Sequence, residues 1–235
     1  KMNLLYVTHF LNGFLMLAMP LGLAITLTRT WKLSWRFWLV GAAIFILSQV
    51  GHIPFNYGVA MWINPLALTW PQTAQTIFRI VFLGLSAGLF EELSRYAMYR
   101  WWLKDARSWR TGVLAGAGHG GVEALLLGLL VLYGYIQMVA LQNPATVAAL
   151  PAFQVEAVKA QIATYWSMPW YFTLFGALER FFTIPVHIAC SVLVLQTFTR
   201  KQGFWVWLAV LYHAALDALA VWGASAVGVY GTEAF

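Results

Sequence analysis

Six stretches of this chain are long and apolar enough to cross a membrane as helices. Residues 4–27, 37–58, 76–99, 111–137, 169–198 and 204–230 each meet the requirement of about 20 residues for a helix spanning the hydrocarbon core. Composition agrees: 61% of the residues are hydrophobic and 9% charged, where a soluble domain carries about a quarter charged. The sequence predicts an all-α fold, a polytopic transmembrane helix bundle of about six spans, with residues 1–235 as a single transmembrane domain. The first run has no A-x-A-like cleavage site behind it and reads as a retained span. Residues 59–75 and 138–168 are more polar connections. In the second, "VEAVKAQIATYW" puts Val155, Val158, Ile162 and Tyr165 on one helical face, which predicts a short interfacial helix.

Basic residues set an orientation. Arg29, Lys32 and Arg36 lie between spans one and two; Arg100, Lys104, Arg107 and Arg110 lie between three and four; Arg200 and Lys201 lie between five and six. The alternate connections hold only Lys159. The positive-inside rule makes the basic loops cytoplasmic and puts the N-terminus outside. The net charge of +6 follows from this topology and calls for no nucleic acid. Cys190, the sole cysteine, falls inside a span, which excludes an intrachain disulfide and a Cys-rich zinc cage.

Acidic residues are where they are least expected. Of eight, Glu91, Glu92, Glu123, Glu179 and Asp217 fall inside spans, joined by His119, His187 and His213. Each ionisable group at a helix centre costs roughly 2.5–3.5 kcal/mol on insertion scales, so the chain must gain something from them. Counting about 1.5 Å per residue, Glu92, His119, His187 and His213 fall roughly 10–17 Å from the cytoplasmic ends of their spans. They can meet in one layer. Helical phase adds detail: His119 with Glu123, and His213 with Asp217, are four residues apart and share faces. Arg95 can pair with either Glu91 or Glu92 and leave the other free. Glu179 ranks lower, because it and His187, eight residues apart, diverge by about 80° around the helix and need not touch the same ligand; Arg180 beside it can also neutralise it. His9 and His52 lie toward the outer ends of their spans and read as interfacial or packing residues. Pro185, two residues before His187, can open the backbone of span five.

Three histidines with carboxylates from different helices form a ligand set for a divalent metal. Zinc at catalytic sites takes three protein ligands and keeps one position open. The neighbouring acids can join the metal shell or bind the second imidazole nitrogen. A free glutamate beside the activated water can act as general base, a combination that hydrolyses amides. On these residues alone, an ion- or proton-coupled transporter, a haem protein with His187 and His213 as axial ligands, and a non-catalytic scaffold retaining the site remain alternatives.

"EELSRY", "GHGGVEA", "ERFFTIPVHIACSVLV" and "HAALDA", on four successive spans, resemble the YhfC family of membrane peptidases over residues 76–222. That family is considered related to the CAAX- and bacteriocin-processing proteases and to the PrsW proteases. The resemblance implies an intramembrane zinc metalloprotease of the bacterial cytoplasmic membrane. Its substrate would be a membrane-protein or lipidated peptide, and residues 76–222 would be the peptidase core. By motif it implies Glu91 or Glu92 as base, His119 as water- or metal-binding residue, and His213 with Asp217 as the late pair. The site expected is thus catalytic Glu91, Glu92, His119 and Asp217; metal-binding His119, Glu123, His187 and His213; and Arg95 and Glu179 as charge partners. Three positions depart from the processing proteases: the arginine follows the glutamates after two residues, Ala115 stands in place of phenylalanine, and Asp217 in place of asparagine.

The orientation has a direct test. Alkaline phosphatase, which folds through disulfides only outside the cytoplasm, is expected to be inactive when fused after Lys104 and active when fused after Gln142. The reverse pattern would invert the topology.

Overall fold

The computed structural model describes residues 2–227. Long apolar sequence becomes eight α-helices: α1 (Met2–Trp31), α2 (Arg36–Ala67), α3 (Gln72–Ala97), α4 (Trp109–Ala140), α5 (Pro144–Ala148), α6 (Ala152–Ser167), α7 (Phe175–Thr199) and α8 (Phe204–Val227). Six of them are long and apolar enough to cross a membrane, and the chain is an integral membrane protein. A π-helical turn over Met98–Trp102 extends α3, and a 3-10 turn over Phe172–Leu174 leads into α7.

The spans start close to where hydropathy places them but several run longer. Residues 59–75, expected as a polar connection, are helical as far as Ala67, through Pro54 and Pro65. Ala60, Met61, Trp62 and Ile63 still favour hydrocarbon, and each proline removes only one backbone donor. Helix α7 likewise continues through Pro185, so that residue opens no gap in the backbone. The sixth span was expected to end at residue 230, outside the described residues. Helix α6 buries none of its residues; Val155, Val158, Ile162 and Tyr165 are its half-buried face, and Tyr165 stacks on His9 of α1 at 4.0 Å.

Helix α3 packs along α8, α4 along α1, α2 and α7, and α7 also meets α8. The bundle's centre therefore lies among α2, α3, α4, α7 and α8. Small residues make these approaches possible, since lipid supplies no hydrophobic drive for helices to associate. Gly41 of α2 faces the Ala115 carbonyl of α4 so closely that a Cβ would sit inside the oxygen, and Gly118 of α4 faces the Trp38 carbonyl in the same way. On α3, Cβ atoms at Gly84 and Gly88 would lie 2.5 Å and 2.7 Å from the Ala214 and Val210 carbonyls of α8. Polar ties complement the packing. Tyr99, Ser191 and the Gly112 carbonyl form a hydrogen-bonded chain at 2.7 Å and 2.9 Å that joins the end of α3 to α7 and α4. Asn12 of α1 accepts the Ala177 amide at 2.7 Å, satisfying a free donor in the first turn of α7.

Two basic loops begin with lysines in the left-handed region, Lys32 (φ 52) and Lys201 (φ 56). At the first, the Leu33 amide bonds back to the Thr28 carbonyl at 3.1 Å, closing a Schellman turn at the end of α1.

Gly118→Val is expected to destabilise the bundle by about 3 kcal/mol or more, because the obstruction is backbone and cannot rotate away. Gly22 has nothing within 4 Å of a built Cβ, and Gly22→Ala should be neutral or slightly stabilising. Thermal unfolding in detergent, followed by loss of monodisperse protein, measures both.

Candidate metal centre

Helix α3 brings Glu91, Glu92 and Arg95 to the centre on one and a half turns, held against α8 through Gly88 just before them. Helix α4 adds His119, α7 adds His187 and Cys190, and α8 adds His213. Burial is close to complete: Glu92, Arg95 and Cys190 are fully enclosed and His119 is 1% exposed. Gly120 lets α4 lie flush against the His187 ring, whose Cδ2 would be 2.7 Å from a Cβ there.

One oxygen organises the cluster. Glu91 Oε2 lies 2.9 Å from His119 Nε2, 3.6 Å from Arg95 Nη2, 3.7 Å from His187 Nδ1 and 3.9 Å from His213 Nε2. Three imidazoles from three helices thus converge on a single carboxylate. Their ring centroids step from His119 to His187 to His213 at 5.3 Å and 5.4 Å.

Partner chemistry assigns the tautomers. A guanidinium only donates, so His187 Nδ1, 2.6 Å from Arg95 Nη2, must be the accepting nitrogen. Its N–H then sits on Nε2, which lies 2.6 Å from Glu123 Oε2, off the axis of a hydrogen bond. A carboxylate only accepts, so His213 Nδ1 donates to Glu92 Oε1 at 2.6 Å. His213 Nε2, the other ring nitrogen, faces two carboxylates, Asp217 Oδ2 at 3.5 Å and Glu91 Oε2 at 3.9 Å. His187 and His213 thus each turn one ring nitrogen toward Glu91 Oε2 and the other toward a further carboxylate, Glu123 and Glu92 respectively. Arg95 donates to the Glu92 oxygen that also receives His213.

The expected residues divide into three groups. Glu91, Glu92, Arg95, His119, His187 and His213 meet. Glu123 does not turn to His119 on its own helix: Arg180 of α7 draws it across at 2.6 Å and puts it behind His187. Full charge on Arg180 outweighs the helical proximity of an imidazole. Glu179 pairs with Arg180 at 2.7 Å and stays half-exposed; Asp217 sits at the rim with its side chain 40% exposed.

Two further residues reach the site. Gln49 of α2 donates to Glu91 Oε1 at 3.1 Å, and its carbonyl receives His52 Nδ1 at 3.2 Å. His52 is therefore more than packing. The signal was present, since Gln49, His52 and Asn56 are polar at i, i+3 and i+7 of an otherwise apolar span. Cys190 joins Glu92 and His213 within 4.8 Å, which nothing in its apolar neighbourhood foretold.

Nitrogen and oxygen donors in this arrangement suit a borderline divalent cation. Ligand atoms of Glu91, His119 and His187 lie within 4.8 Å of one another. Glu92 Oε2 and His119 Nδ1 are buried with no hydrogen-bond partner, whereas buried polar atoms ordinarily have one. The residues fit a metal on these grounds. Arg95 competes with it, because a cation bound by His187 Nδ1 must take that lone pair from the guanidinium.

The molecule is thus an all-helical integral membrane protein with a buried glutamate–histidine cluster able to hold a metal. The chain belongs to the YhfC intramembrane metalloprotease family, whose model matches residues 15–230. A curated relative, "Uncharacterized membrane protein YhfC" of Bacillus subtilis (strain 168), is 28% identical over 224 residues, covering 90% of this chain and 82% of that one. No solved structure matches.

Arg95→Met strands the Glu92 charge in a sealed interior and should cost about 3–5 kcal/mol. Removing the charge as well, in the Arg95→Met/Glu92→Leu double variant, should restore much of that loss. Denaturant titration of the purified proteins gives both values.

Proposed function

We propose that this protein is an intramembrane metal-dependent endopeptidase that cleaves a membrane-embedded or lipidated peptide, with residues 76–222 as its catalytic core. The observation carrying the proposal is the convergence of His119, His187 and His213 on Glu91 Oε2. Family membership supports the same reaction class. His119, His187 and His213 would hold the metal, and zinc is the ion their donors suit best. Glu123 and Glu92 act from behind His187 and His213, fixing ring orientation and raising nitrogen basicity. When bound, a divalent cation supplies Lewis acidity, which makes water more acidic and polarises a carbonyl.

Glu91 is the general base in this reading, not Glu92. Arg95 and His213 both occupy Glu92 Oε1, whereas Glu91 Oε2 faces the imidazoles. Gln49 holds the other Glu91 oxygen and so aims Oε2 inward. Glu91 takes a proton from water as the oxygen adds to the peptide carbonyl carbon. It returns that proton to the amide nitrogen as the C–N bond breaks, so the base is regenerated. Arg95 keeps Glu92 ionised and prevents two adjacent carboxylates from competing for one proton. Asp217 at the rim and His213 flank the approach of the substrate carbonyl. The positive-inside orientation puts this layer in the cytoplasmic half of the membrane, where the substrate would enter.

Metal analysis of detergent-purified protein tests the reading. Wild type is expected to hold about one zinc per chain, and His119→Ala, His187→Ala and His213→Ala to lose it while staying folded. Glu123→Ala should weaken zinc binding roughly 10–100-fold through the ring it supports. Glu91→Gln should keep the metal yet lower cleavage of a quenched transmembrane peptide in liposomes by about 10²–10⁴-fold. Wild-type protein that takes up no zinc when it is supplied overturns the proposal.

A further inference from the structure

Hydrolysis consumes one water per peptide bond, and lipid tails provide none. The site must therefore be wetted through the protein, and its two ends differ sharply in how they could allow this. Toward the basic loops it is sealed. Met98, Tyr99, Leu103, Ala115, Val194, Leu195, Val206 and Ala209 form one buried apolar cluster with Ile44, and most of them are 0–1% exposed. Each lies on the basic-loop side of its own helix's polar residue, so together they plug that end.

The opposite side carries a polar stripe. Gln49, His52 and Asn56 lie at i, i+3 and i+7 of α2, within about 60° of helix rotation. They are linked in one direction. The Asn56 amide donates to His52 Nε2 at 2.9 Å, His52 Nδ1 donates to Gln49 Oε1 at 3.2 Å, and Gln49 Nε2 donates to Glu91 Oε1 at 3.1 Å. Ser86 Oγ of α3 lies 3.1 Å from the same His52 Nε2. All three stripe residues are half-buried in a span whose other faces meet apolar neighbours or lipid. Exposure rises along this side, from 8% for the Glu91 side chain to 40% for that of Asp217 on α8. The side-chain oxygen of Asn56, Oδ1, at the stripe's outer end, is buried without a hydrogen-bond partner. A buried polar atom in that position is the kind that ordered water satisfies.

We infer that the side of the site bounded by the α2 stripe Gln49–His52–Asn56 and by Asp217 of α8 is the water entrance to Glu91, and that the basic-loop end is closed to water by the apolar plug. The inference rests on Glu91 acting as the base of a hydrolase; the entrance itself is a property of the fold and can be measured without metal or substrate. Chemically, the stripe offers alternating donors and acceptors at the spacing of a helical turn, which lets water reach a carboxylate without crossing hydrocarbon. Its donor direction also gathers hydrogen-bond polarisation onto the Glu91 carboxylate.

Cysteine labelling tests this in the full chain, because the single native cysteine, Cys190, is fully buried. His52→Cys and Asn56→Cys would be reconstituted in liposomes beside Val50→Cys and exposed on both faces to a charged, bilayer-impermeant methanethiosulfonate. Val50 is 67% exposed, more than any stripe residue, but it lies on the lipid-facing side of α2. Only thiolate in contact with water reacts, so area and wetting make opposite predictions. Asn56→Cys and His52→Cys should react at least about tenfold faster than Val50→Cys, with wild type as the baseline. Equal rates at the three positions, or stripe rates no higher than wild type, overturn the inference. Should His52→Cys fail to fold, Asn56→Cys carries the same comparison. Stripe labelling in a protein that binds no zinc would keep the entrance and remove the peptidase reading, so the two fail separately.

Discussion

A guanidinium with no exposed surface, set among carboxylates and imidazoles inside a membrane bundle, is the interaction on which the rest of this structure depends. Arg95 donates to Glu92, lies 3.6 Å from Glu91 and contacts His187 at 2.6 Å. Without it, two adjacent glutamates would be enclosed in the bundle with no guanidinium to offset their charge, a situation several kcal/mol out of balance. With it, Glu92 Oε1 is occupied by Arg95 and His213, and Glu91 Oε2 is left facing the three imidazoles. The same guanidinium dictates the His187 tautomer, because a group that can only donate must meet a lone pair. One cation therefore separates the contacts of neighbouring glutamates and orients a ring on another helix.

Such a cluster needs helices that approach more closely than large side chains allow. The paired contacts of Gly41 with Ala115 and of Gly118 with Trp38, and of Gly84 and Gly88 with α8, supply that approach. Gly120 does so next to the His187 ring itself. The glycine-rich opening of α4 is thus packing in service of the site. A backbone contact of this kind is stiff, which is what a site built from four separate helices requires if its distances are to hold.

The bundle is also asymmetric along its axis. Apolar residues close the basic-loop end, and polar residues of α2 and α8 border the other. Glu123 and Arg180 extend this polarity on α4 and α7, so that His187 is braced from outside by a carboxylate that is itself neutralised. The ionisable groups line up in short chains that reach toward the surface: Glu179 to Arg180 to Glu123 on one side, and Asp217 to His213 to Glu92 on another. Each buried ion has a partner whose own far side faces a less buried group, which lowers the cost of enclosing the inner ones.

The sequence by itself determined the membrane-spanning class, the number of long spans and the common depth of Glu92, His119, His187 and His213, because hydropathy and a fixed rise per residue need no knowledge of partners. It also made Arg95 the natural partner of the glutamates, through spacing on one helix. What spacing could not decide was which groups meet across helices. Glu123 shares a face with His119 yet turns to Arg180 and His187, since a full positive charge on a neighbouring helix outweighs a same-helix imidazole. Gln49 and His52 join the site because close packing brings α2 against α3 and α4, and the crossing that does so depends on backbone contact at Gly41, invisible in a single-helix pattern. Tertiary structure alone made Glu91, and not Glu92, the carboxylate shared by three histidines: both satisfy the helical geometry with Arg95, and only the positions of α4, α7 and α8 make them different.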